Sequence, residues 1–340
     1  MRSVEQRSRS IVAGCPSRKS DFTIERCAAV PWLLLGALAL GCSAEDGGTE
    51  QRAPGERVRW TEEDLLDVWG TGANDVWAVG SNGALLHFDG KTWSAIDTGR
   101  TDQLSGISGS GRDDVWAVGS HATALHWNGA GIGSTAEFNS GDELLGVWNS
   151  GPTDVWATGV SFGVAFLSHF DGVRWEGAAL NQAGSLWDVW GSGANDVWAV
   201  GTGRGGFGFL LHWDGALWDF AGYDGPPLRS VWGAGPNDVW CVAYDGPIQH
   251  WNGSSWLAAD TGPQRLLGIW GSAANDIWAV GPEGVIWHFD GASWAISESG
   301  ITDNLWAIWG SAADDVWSVG GDGTILHFDG KGWSLSMRST

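Results

Sequence analysis

Several features are scarce in this 340-residue chain, and each shortage narrows what the protein can be. Four cysteines are too few for a disulfide scaffold of this length. The longest apolar run, residues 28–41, is shorter than a membrane-spanning helix requires. Basic side chains number 18 against 40 acidic ones, a net charge of −22 that repels nucleic-acid phosphates. Nucleic acid is therefore not an expected partner.

Glycine and tryptophan, in contrast, are abundant, with 54 and 27 residues. Glycine at this frequency indicates many turns, and tryptophan supplies large apolar surfaces that pack between sheets. A hydrophobic content of 43% is ample for a core. The composition predicts a folded chain rather than a disordered one.

The first 41 residues differ from the rest in charge and hydropathy. Six basic side chains lie in residues 2–26, and an apolar run follows from Ala28 to Gly41. A basic segment before about 14 apolar residues is typical of a secretory signal peptide. The run ends at Leu38-Ala39-Leu40-Gly41-Cys42, which resembles a bacterial lipobox, where the cysteine is lipidated and becomes the first residue. This resemblance implies a lipoprotein signal peptide over residues 1–41, with Cys42 as the lipidated residue.

Two departures from the lipobox keep a second interpretation open. Ala39 stands where leucine is usual, and the basic segment is unusually long, as it would be if the true start codon lay downstream. The alternative is an ordinary cleaved signal peptide with an incidental Cys42. The lipoprotein resemblance implies, through Ser43, sorting to the outer membrane, on its periplasmic or its outer side. Residues 42–56 are polar and predict a flexible tether.

A motif of about forty residues recurs seven times after residue 60. At its centre is Asp-Val-Trp, in one copy Asp-Ile-Trp, and successive copies are 38 to 42 residues apart. A period of this length and regularity indicates a repeat architecture. The central tryptophans are Trp77, Trp116, Trp156, Trp198, Trp240, Trp278 and Trp317.

Each copy contains four short apolar runs separated by Gly, Asn or Asp. The runs are rich in β-branched and aromatic residues and lack helical periodicity, so they predict strands. Consecutive apolar residues indicate sheets buried on both faces. We predict an all-β seven-bladed β-propeller with four antiparallel strands per blade over residues 57–340. Residues 57–60 are expected to pair with the last blade and close the ring.

Every copy also has one aspartate before the central Val-Trp and one histidine in its third strand. Seven histidines could suggest metal, but equivalent positions in different blades are far apart around a ring, whereas metal ligands must converge. We therefore expect each histidine to bond within its own blade and each aspartate to fix a turn. No metal or other cofactor is predicted. Cys241 replaces Ala or Ser of other copies and is expected to be a small buried core residue.

The order of the runs resembles two families of propeller repeat over about residues 60–336. One is the tectonin repeat, found mostly in sugar-binding lectins and phagocytosis-linked proteins. The other is the Asp-box (BNR-like) group, which includes sialidases and photosystem assembly factors. The segment Phe88–Trp93 lacks the leading serine of an Asp box and the residue between its Asp and Gly, and tectonin lectins typically have fewer blades. The resemblance implies a propeller without selecting one activity.

The copies differ on one face of the expected ring. Loops joining first to second and third to fourth strands are nearly identical, and they define the uniform face. Loops joining second to third strands, and blades to each other, differ, and they define the variable face. We name the residue after the first-strand leucine the rim position, because it is expected near the central mouth on the variable face. The rim positions are Leu66, Ser105, Leu145, Trp187, Arg229, Leu267 and Trp306.

Ligand-binding candidates come from this variable face. They are Trp187, Arg229 and Trp306 at the rim, with Arg204 and Phe207 in a glycine-rich loop of blade 4. Tryptophan faces stack on sugars or peptide groups, and arginine offers forked donors. The alternative for the two rim tryptophans is that they only fill the first-strand packing layer. Blade 2, where Ser108 replaces a tryptophan, is expected to be the softest part of the ring.

These patterns predict a non-catalytic binding module of the cell envelope, monomeric and held at the membrane only by its lipid. The expected ligand is a protein or a carbohydrate. The alternative is an assembly or scaffold factor for an envelope complex. A sialidase-type hydrolase is disfavoured because only Tyr223 and Tyr244 are present and the arginines are scattered along the sequence.

Overall fold

The computed structural model describes residues 63–134, 138, 141–259 and 265–337. Regular structure in these ranges consists of β-strands and three short 3-10 turns, at Ser81–Gly83, Pro282–Gly284 and Gly321–Gly323. In this part of the chain, no helix has the length and apolar character needed to cross a membrane. The predicted signal peptide, Cys42, the tether and the closing strand at residues 57–60 lie outside the described residues.

Within the described ranges the chain forms 27 strands in antiparallel ladders. The first strands of the blades are β1 (Leu65–Gly72), β5 (Leu104–Gly111), β9 (Asp142–Gly151), the second half of β12 (Trp175–Gly193), β16 (Leu228–Gly235), β20 (Gly268–Ala273) and β24 (Leu305–Ala312). The second strands are β2 (Asp75–Gly80), β6 (Asp114–Gly119), β10 (Asp154–Ser161), β13 (Asp196–Gly203), β17 (Asp238–Ala243), β21 (Asp276–Val280) and β25 (Asp315–Gly320).

The third and fourth strands complete each blade. The third strands are β3 (Leu85–Phe88), β7 (Thr123–Trp127), β11 (Val164–Phe170), β14 (Gly208–Trp213), β18 (Gln249–Trp251), β22 (Ile286–Phe289) and β26 (Ile325–Phe328). The fourth strands are β4 (Trp93–Ala95), β8 (Ile132–Ser134), the first half of β12, β15 (Trp218–Phe220), β19 (Trp256–Ala258), β23 (Trp294–Ile296) and β27 (Trp333–Met337). This arrangement confirms the predicted all-β propeller of four-stranded antiparallel blades.

Blades 3 and 4 depart from the expected separation of blades. Strand β12 pairs with β11 through its first half and with β13 through its second half, so the two blades form one seven-stranded sheet. Gly184, with φ of +145°, lies at the change of partner. The links that follow β4, β15 and β23 turn at Gly99, Gly222 and Gly300, with φ of +64°, +68° and +76°, whereas the link after Trp175 remains extended.

The core lies between the blades. In blade 1, Val76, Trp77, Ala78 and Val79 are all buried, so both faces of the second strand are covered. Trp69 lies opposite Trp77 in the ladder, and both belong to the apolar cluster between blades 1 and 2. This confirms the expectation that tryptophan packs between the sheets.

Among the described residues, the first and the last blade contact each other directly. Strand β1 packs against β24 and β25, and Leu65 and Val68 share an apolar cluster with Trp317 and Val319 of blade 7. The backbone N–H of Asp322 also donates to the Asp64 carboxylate at 3.1 Å. The additional contribution predicted for residues 57–60 stays a prediction.

Candidate functional site

The first strands surround a central cavity of about 200 Å³. All seven rim positions line it, so the structure brings Trp187, Arg229 and Trp306 to one place. Each follows a fully buried leucine that holds the start of its strand; in these three blades the leucines are Leu186, Leu228 and Leu305. The propeller thus collects side chains from distant parts of the sequence at one mouth.

Arg229 lies against two aromatic rings at this mouth. Its guanidinium carbon is 4.1 Å from the centre of the Trp187 ring and 5.4 Å from that of Tyr244. Arg265 approaches Tyr244 at 5.3 Å, and its Nε donates to Asp245 at 3.0 Å. The sequence shows the arginines as scattered, whereas the fold brings two of them to one tyrosine. We name Trp187, Arg229, Tyr244 and Arg265 the arginine–aromatic cluster.

The two arginines of the cluster differ in their surroundings. Arg265 is exposed and paired with a carboxylate, which raises its pKa. Arg229 is half-buried, and burial lowers the pKa of its guanidinium. Among the described residues, no hydrogen-bond acceptor or carboxylate pairs with Arg229. Because an arginine stays protonated in proteins, Arg229 carries a charge with unused donors at the mouth.

The other candidates lie in different settings. Trp187 is oriented by its indole N–H, which donates to the Thr202 hydroxyl at 3.0 Å. The indole N–H of Trp306 is buried without an acceptor in the described part of the chain. Arg204 and Phe207 lie in the loop between β13 and β14 and do not line the cavity; Phe207 is 63% exposed. The structure therefore groups three of the five candidates and leaves two on a projecting loop.

Two carboxylates line the cavity just inside the rim, and neither is among the residues predicted from the sequence. Asp67 accepts the backbone N–H of Val68 at 2.9 Å and that of Ile107, in the next blade, at 2.8 Å. Asp188 in blade 4 accepts from Ser230 and Val231 of blade 5 at 2.8 and 2.9 Å. Each aspartate thus ties the first strand of its blade to that of the next.

The enclosure of these carboxylates changes their acidity. Burial raises the pKa of Asp67 to about 7 against the opposing effect of the Ile107 N–H, and the charge of Asp188 adds to the rise. Burial likewise raises the pKa of Asp188, although hydrogen bonds from Val231 and Ser230 oppose it. The cavity is therefore an environment that resists negative charge.

A signal for these carboxylates was present in the sequence. The position after the rim residue is small in five copies and aspartate in two: Asp67, Gly106, Gly146, Asp188, Ser230, Gly268 and Ala307. At this one position of the repeat, Asp67 and Asp188 therefore differ from the residues of the other five copies. No comparable signal marks Tyr244, because it enters from the loop after a second strand, where the copies do not align.

The repeated histidines form a network on the uniform face. In every blade the histidine Nε2 lies 2.6–2.7 Å from the aspartate Oδ1 of the same blade. The histidine also packs on the central tryptophan, with ring centres 3.9–4.3 Å apart. In six blades a serine or threonine hydroxyl donates to the other aspartate oxygen. These contacts confirm that the histidines bond within their own blades.

Two other sequence expectations concern metal and Cys241. Within the described ranges, no group of three or more His, Cys, Asp or Glu side chains is arranged to hold a metal ion. Cys241 is fully buried between blades 4 and 5, as expected, and burial raises the pKa of its thiol.

Comparison with known proteins identifies the fold and no family. No protein-family model matches the chain, and no curated protein sequence matches it. Similar solved structures include YCF48 from Cyanidioschyzon merolae, with a TM-score of 0.64 and 19% identity over 83% of this chain and 98% of that one. A structure of YCF48 bound to D1 peptide gives 0.60 and 18%, over 79% of this chain and 94% of that one.

A third similar structure is the WD40 β-propeller domain of Doa1. Its TM-score is 0.64 and its identity 12%, over 79% of this chain and 93% of that one. At these identities the likeness shows the fold alone. The comparisons therefore confirm a β-propeller repeat protein.

Proposed function

We propose that this protein is a non-catalytic binding propeller of the bacterial envelope, exported by its signal peptide and anchored to the outer membrane through Cys42. Its ligand, a protein segment or a glycan, binds on the variable face at the arginine–aromatic cluster. The observation that carries the proposal is Arg229, a half-buried cation lying against Trp187 and Tyr244 without an acceptor in the described residues. Such a group offers a ligand both stacking surface and donors.

A protein segment fits this cluster better than a sugar does. The guanidinium presents several N–H donors in a plane, which suits the carbonyls or carboxylates of a peptide. One of the similar structures is a propeller bound to a peptide, which supports the same choice. A scaffold for an envelope complex is the same binding activity with a larger partner. Membership of the tectonin or Asp-box group stays a prediction.

The histidine network supports a non-catalytic role. A general base normally belongs to one site, whereas here the histidine–aspartate pair recurs in all seven blades with the same geometry. The phenol of Tyr223 donates to the Pro226 carbonyl, and burial raises its pKa, which disfavours it as a nucleophile. The repeated residues serve the fold, and binding is assigned to the residues that do not repeat.

The binding proposal is tested with a random-peptide display library and a glycan array. The wild-type protein is expected to select peptides, and Arg229→Ala and Trp187→Ala are each expected to weaken the selected peptide at least tenfold. Phe220→Ala is the matched control, since Phe220 is 54% exposed on the outer strand β15. Selection of glycans alone would replace the peptide by a sugar. Absence of any selected ligand, or equal loss in the control, would contradict the proposed site.

The anchor is tested separately. Cells given a fatty-acid analogue should label the wild-type protein, and Cys42→Ser should lose both the label and its place in the outer-membrane fraction. Cys241→Ser is the control, because that thiol is buried in the propeller. An unlabelled wild-type protein found in the soluble periplasmic fraction would support the ordinary cleaved signal peptide instead.

A further inference from the structure

Six of the seven blade interfaces share one interlocking contact near the ring centre. A first-strand tryptophan of one blade lies over a first-strand glycine of the next, so closely that a side chain there would collide with the indole. At Gly70, for example, an added Cβ would lie 2.8 Å from the Trp309 ring. The six pairs are Trp309–Gly70, Trp69–Gly109, Trp148–Gly191, Trp190–Gly233, Trp232–Gly271 and Trp270–Gly310.

The interface between blades 2 and 3 lacks this contact. Its tryptophan is replaced by Ser108 and its glycine by Asn149, and the serine hydroxyl donates to the asparagine Oδ1 at 2.8 Å. Both side chains are buried, with 6% and 8% of their surface exposed. The two replacements fit each other: without the indole there is room for a side chain where every other blade requires glycine.

This pair leaves one polar group unsatisfied. The Asn149 Nδ2 is buried without an acceptor in the described part of the chain. A buried polar group without a partner costs more than one hydrogen bond returns. The indole of the other interfaces instead buries a large apolar surface. The inner half of this interface is therefore less stable than the inner halves of the other six interfaces.

The outer half of the same interface is packed with aromatic rings. Phe138 contacts Phe166 with ring centres 6.1 Å apart and Trp175 at 5.4 Å. Trp116 of blade 2 packs edge-on against Trp175 at 5.3 Å. The interface thus combines a weak inner half, beside the central cavity that Ser108 lines, with a strong outer half.

We propose that the ring opens at the interface between blades 2 and 3, its inner half separating while the aromatic outer half acts as the hinge. Opening there would widen the central cavity on the side of Ser108. The inference is independent of the proposed ligand, because it rests on the packing between blades alone. Blade 2 was expected to be the softest part of the ring, and the proposal assigns the lower stability to its interface with blade 3.

Thiol labelling of the folded full-length protein tests this opening. Val147 faces the interface between blades 2 and 3, and the native Cys241 faces that between blades 4 and 5; both are buried in their clusters. In Val147→Cys, the introduced thiol is expected to react at least ten times faster than Cys241 in the same molecule. Rates are read by peptide mass spectrometry and normalised to those in the urea-unfolded chain.

Two matched variants test whether the missing tryptophan–glycine contact causes the faster labelling. In the Val147→Cys background, Ser108→Trp with Asn149→Gly restores the common pair and should slow labelling to the rate of Cys241. Val231→Cys, at the equivalent position of blade 5, should label as slowly as Cys241 without further change. Equal labelling at positions 147 and 231, or no response to the restored pair, would overturn the proposal. The comparison of positions 147 and 231 decides the matter even if the restored pair does not fold.

Discussion

The uniform and the variable face contrast in how their polar groups are used. On the uniform face every aspartate of the histidine network has partners in its own blade, and the same pattern recurs around the ring. On the variable face the mouth holds Arg229, which has no hydrogen-bond acceptor among the described residues, and two hydrogen-bonded carboxylates whose pKa values are raised by burial. Saturated hydrogen bonding stabilises the fold, whereas unsatisfied groups are available to a ligand. The contrast predicts that mutations on the two faces have different consequences.

The largest effect is expected from breaking the network of one blade. Asp196 accepts from His212 at 2.6 Å and Ser192 at 2.5 Å, so Asp196→Ala should lower the free energy of unfolding by about 2–3 kcal/mol. Urea denaturation measures this loss. Asp224→Ala, an exposed aspartate of the variable face, is the control and should change stability by less than about 0.5 kcal/mol. Equal losses would remove the distinction between the faces.

Mutations at the mouth should weaken ligand binding more than they lower stability. Arg229→Ala is expected to weaken ligand binding by roughly tenfold to a hundredfold, about 1.4–2.8 kcal/mol, while unfolding changes by less than about 1 kcal/mol. Arg229→Lys should restore little, because an ammonium lacks the planar surface that lies on Trp187. Arg112→Ala on the uniform face is the control for isothermal titration. An intact affinity in Arg229→Ala would place the binding surface elsewhere.

The pH dependence of stability should differ between the cavity carboxylates, whose pKa values are raised, and the turn carboxylates of the uniform face, whose pKa values are lowered. The folded state raises the pKa of Asp67 to about 7, so its stabilising contribution is complete below the unfolded value near 4 and is lost as pH rises through 7. Between pH 5 and 8 the wild type should lose about 2.5 kcal/mol that Asp67→Asn retains. Denaturation at several pH values tests this. Parallel pH profiles for both proteins would mean that Asp67 is not the group responsible.

The smallest effect is expected at the exposed turns of the uniform face. Asp329 accepts the N–H groups of Lys331 and Gly332, and these bonds lower its pKa. Its contribution is present above the unfolded pKa and disappears as pH falls through the lowered value. Asp329→Ala should therefore cause a slight loss of melting temperature at pH 7 that vanishes near pH 2. A loss that persists in acid would show another cause.

The fold could be predicted because the same strand pattern occurs seven times in the sequence. The Asp-Val-Trp strand, the following His strand and the Asp-Gly turn each recur, so an error in one copy is corrected by the others. The fusion of blades 3 and 4 was not predicted, because residues 175–186 match the equivalent link of blade 1, residues 93–104, in length and lack a sequence signal that sets them apart. The ladder partners of β12 define where one blade ends and the next begins.

The candidate site was predicted in part. The rim positions could be located because they follow a repeated leucine, and this placed Trp187, Arg229 and Trp306 at the mouth. Tyr244 was missed because the loop that carries it differs in length from copy to copy. Asn149 was not predicted as the partner of Ser108, because the two residues are 41 positions apart and belong to different copies of the repeat.

The continuous strand β12 has a consequence for the history of the chain. A propeller gains or loses a repeat most simply where one blade ends before the next begins, as at the loops that follow β4, β15 and β23. Blades 3 and 4 have no such boundary, because a single strand belongs to both. Duplication or deletion of either one alone would cut a strand in half, so the two are expected to be inherited as a pair. For the same reason, a circularly permuted gene would tolerate new termini in the loop after β4 and not within β12.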